Sequence, residues 1–451
     1  MRDAWIPYAA QPVPRYTSYP TAADFSGEVG EGAARAWAGA VRPGEPISAY
    51  VHIPFCEKLC WYCGCATSVP NDYARVGDYV RLLLREIALW AEAAGPHGGI
   101  GHLHFGGGSP NILRPADFSE IIDTLHRTFG LGAEAEIAVE LDPRTMQQGQ
   151  VAALTNAGVN RVSLGVQTLA PHVQHAVNRI QPPEMIQALL ADLRAHGIRA
   201  INMDLMYGLP YQTTQDVVEA AQFAARSGAA RIALFGYAHV PWFAKHQRAI
   251  DGAALPGLAE RFAQARVAAM TLEASGYVAI GLDHFAKADD PLAVAAGAGR
   301  LRRNFQGYTD DPHATLIAFG ATSISQFREG YVQNHKDRRT WGEAVRAGRL
   351  PVERGLRLTE DDRLRARAIE ALMCNLTVDV AEVCAELGAA SGSLDAALVA
   401  AEGLSAAGLC DVIGSRITVP EAARIMLRTV AQCLDARLPV SAAERRHAKA
   451  V

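Results

Sequence analysis

Four of the eight cysteines fall within ten residues, as Cys56-Glu-Lys-Leu-Cys60-Trp-Tyr-Cys63-Gly-Cys65, and chemistry is expected on this loop. The other four (Cys374, Cys384, Cys410 and Cys433) are scattered through the C-terminal quarter and read as small apolar residues. A disulfide framework would not crowd four thiols onto one loop and leave so long a chain otherwise unstapled. Zinc is the obvious rival, since Cys60-x-x-Cys63 alone would suit a knuckle, but no later C-x-x-C or H-x-H pair is read as completing a structural site. A redox dithiol would leave the third and fourth thiols without a role. Three thiolates at C-x-x-x-C-x-x-C spacing can instead hold three corners of a four-iron cluster and leave one iron open. Cys65 could supply a fourth thiolate, although the single Gly64 makes simultaneous reach awkward. The pattern favours a cluster over zinc.

The elements that must position this loop follow from the periodicity. Short β-branched runs at Ser48–Pro54, His102–Phe105, Glu136–Leu141, Arg161–Val166, Ala200–Met206 and Arg231–Tyr237 alternate with Ala/Leu-rich helical stretches. Repeated βαβ units predict an α/β fold with a parallel sheet, and six strands suit a partial (β/α)6 barrel better than a closed eight-fold one. Reactive groups then gather where strands end. The cysteine loop follows strand one and Gly106-Gly107-Gly108-Ser109-Pro110 follows strand two. Strand three ends in Glu140 and Asp142, strand four in Gly165-Val166-Gln167. Strand five carries Asp204, and strand six runs into Tyr237-Ala238-His239. Unusual residues at six successive strand ends are hard to assign to chance.

The 451 residues are 49% hydrophobic and 20% charged, with 43 basic and 47 acidic side chains and a formal charge of -4. That balance disfavours disorder and offers no general positive field for nucleic acid. No run is long and apolar enough to span a membrane, and the start lacks a secretory signal pattern, so a cytoplasmic protein is expected. Three segments are expected: residues 1–46 as an N-terminal extension, 47–331 as the barrel and its extension, and 332–451 as a mainly helical domain with a wing-like hairpin. Gly276–Leu282 is expected to extend the sheet or cover its mouth. Thr359-Glu360-Asp361-Asp362 caps a helix carrying Leu364, Ala368 and Leu372 on one face. Leu409–Ile413 and Arg416–Val419 flank a turn at Gly414-Ser415. A helix-plus-wing unit can bind DNA, but the charge balance favours a brace on the barrel.

The cysteine spacing followed one strand later by GGGSP resembles the radical S-adenosylmethionine (SAM) superfamily. PRYTSYPT, YVHIPFCEKLCWYCGC, HFGGGSP, SLGVQ, NMDLMYGLP, DHFAKADD and NFQGY together resemble the oxygen-independent coproporphyrinogen III oxidase family, in order from residue 14 to about 330. The resemblance implies a [4Fe-4S] cluster on Cys56, Cys60 and Cys63, with SAM chelating the open iron. It implies reductive cleavage to a 5′-deoxyadenosyl radical, which removes a hydrogen from a propionate β-carbon. Loss of carbon dioxide and an electron then leaves a vinyl group, and two such rounds turn coproporphyrinogen III into protoporphyrinogen IX in heme biosynthesis.

Two SAM molecules are implied. Tyr50, Gly107, Glu140 and Ile324 would belong to the cluster-bound one, and Tyr62, Gly108, Ser109, Gln167, Arg179, Asp204 and Ala238 to the second. Carboxylates can accept from ribose hydroxyls, and an arginine can grip a carboxylate. Ser109 stands where the family commonly has Thr, and Tyr62 where it often has Phe. A tetracarboxylate substrate needs cations, for which Arg15, Arg302 and Arg303 lie in promising segments, and the Pro14–Thr21 block is expected to fold over the cluster mouth. The implied partners are coproporphyrinogen III, an electron donor and a terminal electron acceptor, with no nucleic acid or membrane, and the chain is a monomer by analogy. The rival within the superfamily is a heme chaperone, whose members generally lack a thiol at the place of Cys65 and the RYTSYPT block.

Overall fold

The computed structural model describes residues 2–438. Its centre is a 12-stranded sheet. The six expected strands form as β1 (Ile47–Ile53), β2 (Ile100–Gly107), β3 (Leu131–Leu141), β4 (Arg161–Gln167), β5 (Ala200–Tyr207) and β6 (Arg231–Gly236), each parallel to its neighbours. Helices Ala74–Ala93, Pro115–Phe129, Gln150–Asn156, Pro183–Ala195 and Thr214–Arg226 fill the crossovers. The last starts in a capping box in which Thr213 and Asp216 satisfy each other's backbone N–H groups.

β7 (Tyr277–Ile280) and β8 (His284–Lys287) extend the sheet antiparallel beyond β6. β9 (Arg302–Asn304) and β10 (Gly307–Thr309) form a separate hairpin. β11 (Leu316–Phe319) then returns to lie parallel to β1, a seventh parallel strand beyond the six read from the sequence. β12 (Ile324–Gln326), β13 (Gly330–Asn334) and β14 (Val352–Arg357) complete that edge antiparallel. β14 and β7 end the strand order without pairing to each other, so the barrel is open.

Parallel strands covered on both faces usually read as continuous apolar runs. β1 is close to such a run, whereas β4 and β5 alternate. In β5, Ile201, Met203, Leu205 and Tyr207 are buried, while Asn202 and Asp204 point the other way and are half-buried. The apolar face packs with the helices in one large core that includes Met203, Val217 and Ala221. The polar face lines the hollow of the barrel.

The sheet continues through β14 to Arg357, past the 331/332 division expected from the sequence. The helix Glu360–Asn375 starts just after it, with the Thr359–Asp362 capping box and with Leu364, Ala368 and Leu372 buried. β15 (Thr377–Asp379), β16 (Asp411–Ile413) and β17 (Arg416–Thr418) form a small sheet beside it, the hairpin lying where the wing was expected. Trp5, Val13, Tyr16 and Tyr19 of the N-terminal extension share an apolar cluster with these C-terminal elements. Residues 439–451, the end of the expected third segment, lie outside the described residues.

One charged group is sealed between layers. Glu86, on the helix behind β1, has no exposed surface. Its Oε2 accepts from Gly320 N at 2.8 Å and Trp341 Nε1 at 3.0 Å, and Oε1 accepts from Asn334 Nδ2 at 2.6 Å. Burial pushes its carboxyl up from 4.5 to about 7 in spite of these donors. A carboxyl raised by folding stabilises fully below its unfolded value, and that contribution is lost as pH climbs through the folded one. Denaturant unfolding between about pH 4.5 and 7.5 should therefore show a loss on the order of 3 kcal/mol that Glu86→Gln lacks. Equal pH slopes in the two proteins would exclude Glu86 as the source.

Candidate active site at the mouth of the barrel

The cysteine loop is closed at its base by backbone bonds. Cys56 N donates to Ser68 O at 3.0 Å, and Ser68 N to Pro54 O at 3.1 Å. Neighbouring strand ends hold the rest. Gly108 N and Ser109 N donate to Ile53 O and Phe55 O, both at 2.8 Å. Trp61 N donates to Val177 O at 3.0 Å, and Asn178 Nδ2 to Leu59 O at 2.9 Å. From beyond β6, His246 Nε2 lies 2.7 Å from Cys63 O, and Gln247 Nε2 donates to Tyr62 O at 2.9 Å and Ala238 O at 3.2 Å.

Polar groups surround the three expected ligand sulfurs. Cys56 Sγ lies 3.1 Å from Thr67 Oγ1 and accepts from Ser109 Oγ at 3.5 Å. Cys60 Sγ accepts from Arg144 Nη2 at 3.1 Å and Arg179 Nη1 at 3.3 Å. Cys63 Sγ accepts from Cys65 N at 3.3 Å. Hydrogen bonding from the Cys65 side chain, stronger than the opposing effect of burial, lowers the Cys63 thiol and favours its thiolate form. Burial pushes the Cys56 thiol up. Cys65 itself is exposed, and its bond to Cys63 holds it in the thiol form.

Each glycine of GGGSP has a distinct neighbour. A Cβ on Gly106 would stand 2.6 Å from Glu140 Oε1, one on Gly107 (φ +106°) would strike the His52 ring, and one on Gly108 would strike Phe55 O. The motif thus lets the cysteine loop, a histidine and a carboxylate crowd onto one backbone.

Glu140 Oε1 lies 3.0 Å from His104 Nε2, and His104 stacks on Tyr50 with centroids 5.9 Å apart. Tyr50 Oη lies 3.1 Å from His52 Nδ1. Asp204 accepts from Ser163 Oγ at 3.2 Å and Asn202 Nδ2 at 2.8 Å, and burial with the nearby Glu140 charge raises it to about 6. Glu140 and Asp204 line one hollow. Arg179 is buried, donating to Gly165 O at 2.5 Å and to Asp142 Oδ2 at 3.4 Å. Gln167 is buried at the end of β4 with a left-handed φ of 63°. Two expected residues are placed mainly by backbone or packing. Ile324 is on β12, packed beside Phe25, Tyr331 and Leu356, and Ala238 shares the Gln247 amide with Tyr62 through its carbonyl.

A cavity of about 1320 Å³ opens between the strand ends, the N-terminal segment and the C-terminal elements. Arg15, Arg261, Arg303 and Arg428 line it. It shares Phe235, His284 and Gln306 with the smaller hollow that holds Glu140 and Asp204. Burial and the charge of Arg15 lower Arg428 to about 10, which leaves it a cation at neutral pH. Arg303 Nε donates to Tyr16 O at 2.9 Å, whereas Arg302 turns away to an ion pair with Glu370 at 2.9 Å.

Sequence reasoning missed Arg144, although it follows Asp142 by two residues and pairs with it at 2.6 Å. It also missed Thr67, His246 and Gln247, which have no spacing signature. Because Gly108 meets backbone rather than a movable side chain, Gly108→Ala should cost about 1–3 kcal/mol. It should also at least halve the iron retained after anaerobic reconstitution, read by metal analysis against unchanged circular dichroism.

The chain matches the radical SAM superfamily over residues 50–224, from Tyr50 on β1 into the helix that follows β5. The oxygen-independent coproporphyrinogen III oxidase of Bradyrhizobium diazoefficiens is 43% identical over 436 residues, covering 97% of each chain. The protein of the same name from Synechocystis is 35% identical over 450 residues, covering 98% of this chain and 96% of its own. A solved structure of coproporphyrinogen III oxidase (HemN) from Escherichia coli, a radical SAM enzyme, superposes with a TM-score of 0.89 at 37% identity. That match covers 95% of this chain and 100% of the other. Likeness along nearly the whole length, with the cysteine loop and its supporting strand ends inside it, places this chain in the oxygen-independent coproporphyrinogen III oxidase family of radical SAM enzymes.

Proposed function

We propose that this enzyme converts coproporphyrinogen III to protoporphyrinogen IX by oxidative decarboxylation of two propionates, in heme biosynthesis. One juxtaposition carries the reading: three thiols on a loop fixed by hydrogen-bond donors, beside a cavity lined with arginines.

The residues suit the cofactors this chemistry needs. Cys56, Cys60 and Cys63 would hold a [4Fe-4S] cluster, and the donors at their sulfurs favour the thiolate form that ligates. When bound, the cluster and SAM supply the one-electron cleavage and hydrogen abstraction that no side chain can perform. Tyr50, Gly107, Glu140 and Ile324 would serve one SAM molecule. Tyr62, Gly108, Ser109, Gln167, Arg179, Asp204 and Ala238 would serve a second. Support comes from Arg179, whose buried Nε has no partner among the described residues and is a donor available to a carboxylate. The inward-facing Glu140 and Asp204 are acceptors suited to hydroxyl groups.

Arg15, Arg261, Arg303 and Arg428 would meet the substrate carboxylates, and residues 1–46 would cover the cavity that they line. Each round draws one electron from an external donor and passes one from the substrate to a terminal acceptor. The chain's part is to hold the reacting carbon near the cluster and exclude water from it.

Anaerobically reconstituted enzyme given reductant, SAM and coproporphyrinogen III should yield 5′-deoxyadenosine and the divinyl product. Cys56→Ser, Cys60→Ser and Cys63→Ser should each abolish both, and normal turnover in any one would refute the ligand set. Arg15→Ala should raise KM for coproporphyrinogen III about tenfold, the scale of one charged hydrogen bond, while SAM cleavage without substrate stays unchanged. An unaltered KM would remove Arg15 from the substrate site.

A further inference from the structure

At the opposite end of the barrel from the cysteine loop, a second set of ligand-type side chains meets. His102 on β2, with Asp311 and His313 in the segment between β10 and β11, place one donor atom each within 4.8 Å of one another. The sheet register creates the meeting. Leu316, Ser48, His102 and Glu136 form one row across β11, β1, β2 and β3, and Asp311 and His313 lie just ahead of Leu316. We propose that His102, Asp311 and His313 form a binding site for a divalent transition-metal ion, zinc in the first instance, separate from the cysteine loop.

The chemistry of the donors fits. Two imidazoles and a carboxylate are borderline ligands of the type zinc takes at about 2.0–2.2 Å. Donors within 4.8 Å close on such an ion with small ring rotations. The supporting groups are also in place. Asp311 is buried and held by Ser48 Oγ and by His313 N at 2.9 Å. Glu136 Oε1 lies 4.0 Å from His102 Nδ1, while its Oε2 accepts from Arg161 Nε at 2.7 Å. At that distance Glu136 is not hydrogen-bonded to the ring; the ring rotation that closes the site would have to bring Nδ1 to it for the carboxylate to support the ligand. Gly101 makes room, since a Cβ there would strike His313 Nε2. His102 and His313 are both half-buried, which leaves a path for the ion.

An H-x-H pair does occur, His102-Leu103-His104, contrary to the sequence reading that set zinc aside. Both histidines point to the same face of β2 and line one hollow, one residue pair apart along the strand. His104 meets Glu140, nearer the cysteine loop, and His102 meets Asp311 and His313, nearer the strand starts. An ion here would tie β2 to the segment that carries the β9–β10 hairpin. That hairpin's Arg303, Phe305 and Gln306 line the large cavity, so the site would act as a fastener of the cavity wall.

The test uses cluster-loaded enzyme treated with zinc chloride and desalted. About one zinc per chain should remain beside an unchanged iron content, and zinc K-edge absorption should report nitrogen and oxygen neighbours only. His102→Ala with His313→Ala should cut retained zinc to less than about a tenth at the same iron content. The single variant His313→Gln serves if the pair fails to fold, and it should weaken zinc binding at least tenfold. Sulfur in the zinc shell, equal retention by wild type and variants, or no retention by wild type would each overturn the site.

Discussion

Close thiolates repel one another, and the segment that carries them here, residues 54–68, contains no helix or regular strand to hold it. Unit charges 4 Å apart interact by about 4 kcal/mol at an effective dielectric constant of 20. That repulsion must be opposed by hydrogen bonds and charges around the sulfurs. The structure opposes it in two ways. Backbone bonds from Gly108, Ser109 and Trp61 fix the path of the loop, and Arg144, Arg179 and the Cys65 N–H lower the cost of negative charge on the sulfurs. Asp142 is part of the same arrangement, because it holds Arg144 at 2.6 Å and lies 3.4 Å from Arg179. Two guanidiniums can share one sulfur because a carboxylate lies beside them.

The inner face of the sheet extends this logic down the barrel. A closed parallel barrel fills its interior with apolar layers. This one carries Glu136, Glu140, Arg161, Ser163, Asn202 and Asp204 around a hollow. Stability is therefore carried by the outer face, where β-strands meet helices in the main core. The inner face is left free to be polar. Asp204, raised to about 6 by burial and by Glu140, shows the cost of placing two carboxylates in one hollow. Ser163 and Asn202 offset part of it with direct donors.

What could be read from the sequence was the local part. Six strands were visible because short β-branched runs between Ala/Leu-rich helical stretches are a property of consecutive residues. Their ends then located Cys56 to Cys63, the GGGSP turn, Glu140 and Asp204 without three-dimensional information. β11 was not visible: Leu316–Phe319 is four buried residues without alternation, indistinguishable from a fragment of any core. Its place beside β1 depends on a pairing across the chain. Arg302 and Arg303 show a finer limit. Neighbours on a strand point to opposite faces, so one takes Glu370 and the other the cavity, and sequence order cannot say which. Gln247 and His246 act through backbone carbonyls of the cysteine loop, contacts that leave no spacing pattern at all.

The far wall of the cavity joins the two ends of the chain. Tyr16 Oη donates to Asp435 at 2.9 Å, and Ala436 N donates to Tyr19 Oη at 3.1 Å. Arg303 donates to the carbonyls of Tyr16 and Arg15 from the hairpin side. This clamp brings Arg15 and Arg428 together, and their mutual repulsion contributes to lowering Arg428 to about 10. Burial of Trp5, Val13, Tyr16 and Tyr19 offsets that repulsion during folding. Asp283 in the same wall offsets part of that repulsion, but Arg15, Arg261, Arg303 and Arg428 outnumber it, and the surplus positive charge gains from an anion that enters between them. A polyanion is then favoured over a neutral molecule of the same shape, and the preference is built before the ligand arrives.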